Sequence, residues 1–88
     1  MISVSAISCV GDYRLRATFS DGSSGEYDCA ALVMHPGPMA QPLRDPAYFC
    51  RVFLDEGAPT WPNGYDMAPE WLQREMIAAG KLMPAAAE

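Results

Sequence analysis

Apolar and polar residues alternate most regularly between Tyr13 and Phe19, where every second side chain is apolar or aromatic. A period of two indicates a half-buried β-strand. A run of small or β-branched residues from Ile2 to Val10 precedes this strand, and a shorter alternation from Gly25 to Cys29 follows it. The pattern therefore predicts an N-terminal antiparallel sheet of three strands. The residues predicted to face the core from the middle strand are Tyr13, Leu15, Ala17 and Phe19.

The faces of the second and third strands constrain the hairpin between them, because opposite residues in an antiparallel pair lie on the same side of the sheet. A two-residue loop at Asp21-Gly22 would pair Arg16 with Tyr27 and mix the two faces. An odd loop over residues 21–23 or 20–24 avoids this mixing. We therefore predict an odd loop, with the pairs Arg16 and Asp28, Ala17 and Tyr27, and Thr18 and Glu26.

Short helical turns and a second hairpin are expected in the middle of the chain. Residues 30–34 can form one helical turn, which the Pro-rich loop from His35 to Pro42 ends. Asp45 is a predicted N-cap with Pro46 at the first helical position. A strand over 51–55, a turn at Glu56-Gly57 and a return strand over 58–61 form the second hairpin, and Pro59 confines the return strand to a sheet edge.

The segment from Trp61 to Leu72 predicts a strand exit, a tight turn and the start of a helix. Asn63-Gly64 is a favourable turn dipeptide, because both residues accept positive φ. Asp66 is the predicted cap of a helix that continues to about Ala79. The buried stripe of this helix is expected to contain Leu72, Met76 and Ala79, with Gly80 as its C-cap.

The combined pattern predicts an α+β fold, in which a C-terminal helix and short helical turns pack on a small antiparallel sheet. A chain of 88 residues allows one domain. We place this domain at residues 1–80 and expect residues 81–88 to form a frayed tail.

Charge and cysteine content narrow the functional classes. The net charge of −5 disfavours direct nucleic-acid binding. The three cysteines are widely spaced and lack a Cys-x-x-Cys pair, which favours buried thiols over a disulfide framework or a zinc site. No secretory signal and no membrane-spanning apolar run is recognisable. These observations predict a cytoplasmic protein in a reducing compartment, without membrane association.

The candidate chemistry is confined to the C-terminal segment. Asp66 and Glu70 could form a carboxylate pair for acid/base chemistry or for a divalent cation, but residues in the first turn of a helix more often cap it. The aromatic residues of the segment could stack on a ligand, whereas a role in the core or at an interface is commoner. The candidate interface or ligand surface comprises Trp61, Asn63, Tyr65, Asp66, Glu70 and Trp71.

No catalytic or cofactor motif is recognisable, and His35 is the single imidazole of the chain. His35 has no neighbouring cysteine or acid in the sequence, which is typical of a solvated loop histidine. We therefore predict a protein that is not an enzyme and that needs no cofactor or metal.

The C-terminal segment resembles the signature of the domain of unknown function 2442 family, which reads Trp-Pro-Asn-Gly-x-Asp-x-x-Pro-Glu-x-Leu. The matching positions here are Trp61, Pro62, Asn63, Gly64, Asp66, Pro69, Glu70 and Leu72. An earlier pattern, Tyr13-x-Leu15 followed by Phe19-x-Asp21-Gly22, also fits this family of small bacterial proteins. The resemblance extends over most of residues 2–72.

The resemblance implies no catalytic residues, because no activity is established for the family. It implies a protein partner encoded nearby, a small member of the domain of unknown function 4160 family, in an arrangement similar to a toxin–antitoxin pair. The expected function is thus a non-enzymatic protein-interaction module, antitoxin-like or regulatory in a two-gene operon. The alternatives are a small-molecule or metal-binding protein that uses Asp66, Glu70 and the nearby aromatic residues, and a homodimeric subunit.

Overall fold

The computed structural model describes residues 1–85, and in this range a four-stranded antiparallel sheet and a separate two-stranded hairpin are joined by short helices. The strand order in the larger sheet is β1-β2-β3-β6. The α+β prediction is confirmed. The elements are β1 (Val4–Gly11), β2 (Arg14–Phe19), β3 (Ser24–Asp28), α1 (Ala30–Val33), a 3₁₀ turn (Gln41–Arg44), α2 (Pro46–Phe49), β4 (Phe53–Asp55), β5 (Ala58–Thr60), α3 (Pro69–Ala78) and β6 (Leu82–Met83).

The hairpin between β2 and β3 has the predicted odd loop, but its register differs from the prediction by two residues. Arg16 lies opposite Glu26 and not Asp28, and forms an exposed ion pair with it. The predicted pairs of Ala17 and Thr18 are likewise wrong, because these residues lie opposite Gly25 and Ser24.

The side chain of Asp21 explains why the loop comprises residues 20–22 and not residues 21–23 or 20–24. Its carboxylate accepts hydrogen bonds from the Ser23 amide at 3.0 Å and the Ser23 hydroxyl at 2.6 Å. Gly22 adopts a φ of 88°, a conformation that favours glycine. Phe19 and Ser23 are then joined by a backbone bond of 2.8 Å, which leaves residues 20–22 as the loop.

The inner face of the sheet forms one side of the core, and the helices with the C-terminal segment form the other. Leu15, Ala17 and Phe19 are buried as predicted, whereas Tyr13 is half-buried in the turn before β2. The core residues contributed by the rest of the chain are Val4, Cys29, Leu32, Val33, Leu43, Phe49, Trp61, Met67, Leu72 and Met76.

The second hairpin is shorter than predicted. The N-cap role of Asp45 is confirmed, because its carboxylate accepts a bond of 3.1 Å from the Ala47 amide. β4 begins at Phe53 and not at Arg51, because the Arg51 amide still bonds to the Tyr48 carbonyl at the end of α2. Glu56-Gly57 forms the predicted turn, and both residues have positive φ.

The predicted cap of the C-terminal helix is wrong. Ala68 occupies the N-cap position of α3, and the Asp66 backbone instead forms an isolated β-bridge with Thr60, two residues before the cap. Gly80 ends the helix as predicted, with a φ of 69°. The Gly80 and Lys81 amides bond to the Ile77 and Met76 carbonyls, which is a Schellman motif. Leu72 and Met76 are buried, but Ala79 is exposed at the end of the helix.

The chain after Gly80 departs from the predicted frayed tail. Leu82 and Met83 form β6, which pairs with Gly25 and Ser24 of β3. Gly25 permits this pairing, because it has no side chain and the Lys81 backbone can approach it closely. A Cβ atom at Gly25 would lie 2.0 Å from the Lys81 carbonyl oxygen. Residues 86–88 of the predicted tail lie outside the described residues.

The cysteine prediction is wrong for two of the three residues. Cys9 and Cys50 form a disulfide across a sequence separation of 41, whereas Cys29 is a buried free thiol as expected. The two cysteines meet because the core contacts of Phe49 place α2 beside the end of β1. The spacing of cysteines in the sequence does not contain this information. The cysteine content therefore no longer indicates a reducing compartment. Across residues 1–85, no helix has the length and apolarity to cross a membrane.

Candidate functional site

Trp61 anchors the C-terminal segment in the core. Its side chain is fully buried, and its indole N–H donates a hydrogen bond of 2.8 Å to the Phe49 carbonyl. The ring lies 5.5 Å from Phe49 and 6.0 Å from Tyr65, measured between centroids. The expectation that Trp61 belongs to an exposed interface is therefore wrong, because the side chain has no surface to offer a partner.

Asn63 links the turn to a distant loop. Its side-chain oxygen accepts a bond of 3.1 Å from the Tyr65 amide, which fixes the turn locally. Its side-chain nitrogen donates a bond of 2.9 Å to the Met39 carbonyl. Gly64 completes the turn with a φ of 89°. The Asn63 side chain thus bonds both to its own turn and to the Pro-rich loop at Met39.

Residues 34–39, which include the first part of the Pro-rich loop, are all exposed and are called the apolar loop below. Met34 at its start is 65% exposed and Met39 at its end is 45% exposed. The Arg44 guanidinium holds the start by donating bonds of 2.8 Å to the Val33 carbonyl and 3.1 Å to the His35 carbonyl. The apolar loop is therefore tied to the rest of the molecule at both ends, while its side chains face solvent.

The sequence signal for the apolar loop is the absence of charge. From Cys29 to Leu43 the chain has no Asp, Glu, Lys or Arg. Within this stretch, two methionines flank His35-Pro36-Gly37-Pro38. An uncharged stretch of this length is unusual for a surface loop, so its composition could have identified the loop as a candidate contact surface. The anchoring roles of Arg44 and Asn63 could not be read from the sequence, since both act across long sequence separations.

The other predicted site residues lie on or before α3 but form no closed site. Asp66 and Glu70 are exposed, and Tyr65 and Trp71 are half-buried against the core. Among residues 1–85, no group of three or more His, Cys, Asp or Glu residues is placed to hold a metal ion. The carboxylate pair therefore receives no third ligand from the described part of the chain.

The pKa values of Cys29, Tyr65 and Tyr27 are raised, which favours the neutral forms of these side chains. Burial, followed by the nearby Asp28 charge, raises the pKa of the Cys29 thiol to about 12. Burial and then the Asp66 charge raise the pKa of Tyr65, and burial and then Glu75 raise that of Tyr27. A buried thiol with a raised pKa is a poor nucleophile, so Cys29 is a core residue and not a reactive one.

An open recess of about 360 Å³ lies between α3 and the β2–β3 loop. Gln73 crosses its floor, where its amide nitrogen donates bonds of 3.1 Å to the Asp21 carboxylate and to the Ser23 hydroxyl. Hydrogen bonds from Ser23 lower the pKa of Asp21, with Gln73 contributing less. These polar groups bond to each other, so they join the loop to the helix and do not converge on a ligand.

The fold and this segment define a small α+β domain with a Trp-Pro-Asn-Gly turn that is anchored in the core and bonded to an exposed loop. The chain belongs to the family described as protein of unknown function (DUF2442), which matches it over residues 4–78. The family resemblance drawn from the sequence is confirmed. No curated protein and no solved structure matches the chain.

Proposed function

We propose that this chain is a non-enzymatic protein-interaction module and that the apolar loop is its contact surface. The observation that supports the proposal is the combination of exposed Met34 and Met39 side chains with a backbone held by Arg44 and Asn63. Exposed apolar surface is unfavourable in water unless a partner covers it. A surface fixed at both ends is typical of a recognition loop on a scaffold.

The physical advantage of such a loop lies in its limited freedom. A partner that binds a preorganised loop loses less conformational entropy on association than one that must order it. Methionine side chains then adapt their shape to an apolar surface, because the thioether is flexible and polarisable. Pro36 and Pro38 restrict the backbone further.

The partner proposed is the small protein of the domain of unknown function 4160 family that the family resemblance implies. In this proposal the chain is the regulatory, antitoxin-like member of a two-gene operon and acts in the cytoplasm. Its net charge of −5 favours a partner with a basic surface around an apolar contact. Size-exclusion chromatography of the chain alone would test the alternative homodimer.

The direct experiment is co-expression with the adjacent gene product, followed by size-exclusion chromatography and a growth-rescue assay. The test variant is Met34→Ser/Met39→Ser, which removes the two exposed methionine side chains of the loop and keeps Arg44 and Asn63. The matched control is Met83→Ser, because Met83 is 69% exposed on β6, outside the apolar loop. We expect the control to keep the complex and the loop variant to lose it, with both variants melting like the wild type.

Two results would contradict the proposal. If the wild-type chain forms no complex and rescues no growth, the interaction role fails. If the loop variant and the control bind equally well, the interaction stands but the apolar loop is not its surface.

A further inference from the structure

The Cys9–Cys50 disulfide lies at the surface. It joins the end of β1 to the residue after α2, with the two Cα atoms 5.2 Å apart. Cys50 is exposed and Cys9 is half-buried, whereas Cys29 is fully buried. Of the three cysteines, these two are therefore open to small reagents in the folded protein.

We propose that Cys9 and Cys50 form a reversible thiol–disulfide exchange site for low-molecular-weight thiols and disulfides of the glutathione class. In reduction, an external thiolate attacks the Cys50 sulfur, the bond to Cys9 breaks, and Cys9 takes up a proton. A second thiol then displaces Cys50 from the mixed disulfide. The protein gains two electrons and two protons, and two external thiols become one disulfide.

Two features of the structure support an exchange site at this position. Cys50 is exposed and Arg51 follows it directly, with its guanidinium 5.6 Å from the centre of the Tyr48 ring, so positive charge lies at the end of α2 where a thiolate would approach. The Gly11 carbonyl lies 3.4 Å from the Cys9 sulfur and can accept a hydrogen bond from the reduced thiol. The site thus accommodates both redox states.

Reduction should loosen the structure only locally, because other contacts hold α2. Phe49 is fully buried, and its ring lies 5.7 Å from that of Tyr13. The Phe49 carbonyl accepts the Trp61 indole bond, and the Tyr13 hydroxyl donates to the Arg44 carbonyl. Breaking the disulfide removes the covalent link between Cys50 and β1 and leaves these contacts of α2 in place.

The test uses the full chain without denaturant. We expect glutathione disulfide to lower the mass by two hydrogens relative to the dithiol form, and dithiothreitol to restore it. After reduction, iodoacetamide should modify Cys9 and Cys50 rapidly and Cys29 only on unfolding. The oxidised form should melt several degrees higher than the reduced form, a difference that Cys9→Ser or Cys50→Ser abolishes and Cys29→Ala retains.

The double variant Cys9→Ala/Cys50→Ala separates exchange from folding. We expect it to fold and to melt like the reduced wild type. An unfolded double variant would contradict the local effect. A wild-type chain that glutathione disulfide leaves as three thiols, or that dithiothreitol reduces only in denaturant, would overturn the exchange site.

Discussion

At the scale of single residues, the Asn63 side chain forms one hydrogen bond within its own turn and one to a distant loop. Its carbonyl oxygen fixes the turn through Tyr65, and its amide nitrogen fixes the apolar loop through Met39. Asn63→Ala removes both bonds and should lower the free energy of unfolding by about 2 kcal/mol, at about 1 kcal/mol per net hydrogen bond. Urea unfolding followed by circular dichroism measures this loss.

Asn63→Asp separates the two tasks, because it keeps the acceptor for the Tyr65 amide and loses the donor to Met39. We expect a loss of about 1 kcal/mol and faster amide hydrogen exchange confined to the apolar loop. If Asn63→Asp were as stable as the wild type and exchanged at the same rate there, the anchoring role of this residue would be refuted.

Trp61 is the other residue whose role the structure changes, from a candidate ligand contact to a core anchor. Trp61→Phe removes the indole donor and leaves the Phe49 carbonyl buried without its partner. Together with the smaller ring, this should cost about 3 kcal/mol. Trp71→Phe is the control, because Trp71 is only half-buried. Equal losses for the two variants would contradict the distinction between them.

At the scale of elements, β6 depends on a glycine in the neighbouring strand. Gly25→Ala would place a Cβ atom 2.0 Å from the Lys81 carbonyl oxygen, so the backbone around Lys81 must move. We expect loss of the pairing with Leu82 and a destabilisation of about 1–3 kcal/mol, typical of overpacking. Amide hydrogen exchange of residues 82–83 reports the loss of pairing.

Gly25 has no positive φ, so the effect of Gly25→Ala comes from the close contact alone. Gly80→Ala is the complementary control: a Cβ atom there meets nothing within 4 Å, but the φ of 69° is strained for alanine. It should destabilise the end of α3 and leave exchange at Gly25 unchanged. If the amides of residues 82–83 stayed protected from hydrogen exchange in Gly25→Ala, the backbone would accommodate the added Cβ atom and the prediction would be wrong.

The elements also show how far local pattern predicts this fold. The β2 alternation, the Asp45 cap and the end of α3 just before Gly80 were predicted correctly, because each depends on neighbours within a few residues. The Asp66 cap was wrong because its backbone pairs with Thr60, a tertiary contact that competes with capping. The β2–β3 register was wrong because the Asp21 side chain selects the turn.

At the scale of the whole molecule, the features that bear on function are nonlocal. The disulfide joins residues 41 apart in sequence, and the Asn63 bond reaches back to Met39. Neither follows from periodicity or spacing, because both require knowing which surfaces the core brings together. Of the candidate site, the sequence predicted the Asn63-Gly64 turn but not its surroundings: Trp61 is buried, and the turn is bonded to the exposed apolar loop.

Stability of the whole molecule should fall in alkali. The Cys29 thiol of the unfolded chain ionises near the ordinary cysteine pKa of 9.0, whereas the folded thiol keeps its proton up to about 12. Between these values the unfolded state binds fewer protons, so the free energy of unfolding decreases by up to about 1.4 kcal/mol per pH unit. Well below pH 9.0 the thiol is protonated in both states and adds no pH dependence to the free energy of unfolding. Tyr27 and Tyr65, whose pKa values are also raised, act in the same direction above the ordinary tyrosine value of 10.0.

Urea unfolding between about pH 7 and about pH 10.5 measures this dependence. The experiment belongs in the Cys9→Ala/Cys50→Ala background, where thiol–disulfide exchange cannot contribute to the signal. Adding Cys29→Ala should lower stability at neutral pH through lost packing and flatten the slope just above pH 9.0, where the thiol ionises before Tyr27 and Tyr65 in the unfolded chain. An unchanged slope in that variant would mean that the buried thiol does not cause the alkaline loss, and that the tyrosines begin to act at lower pH.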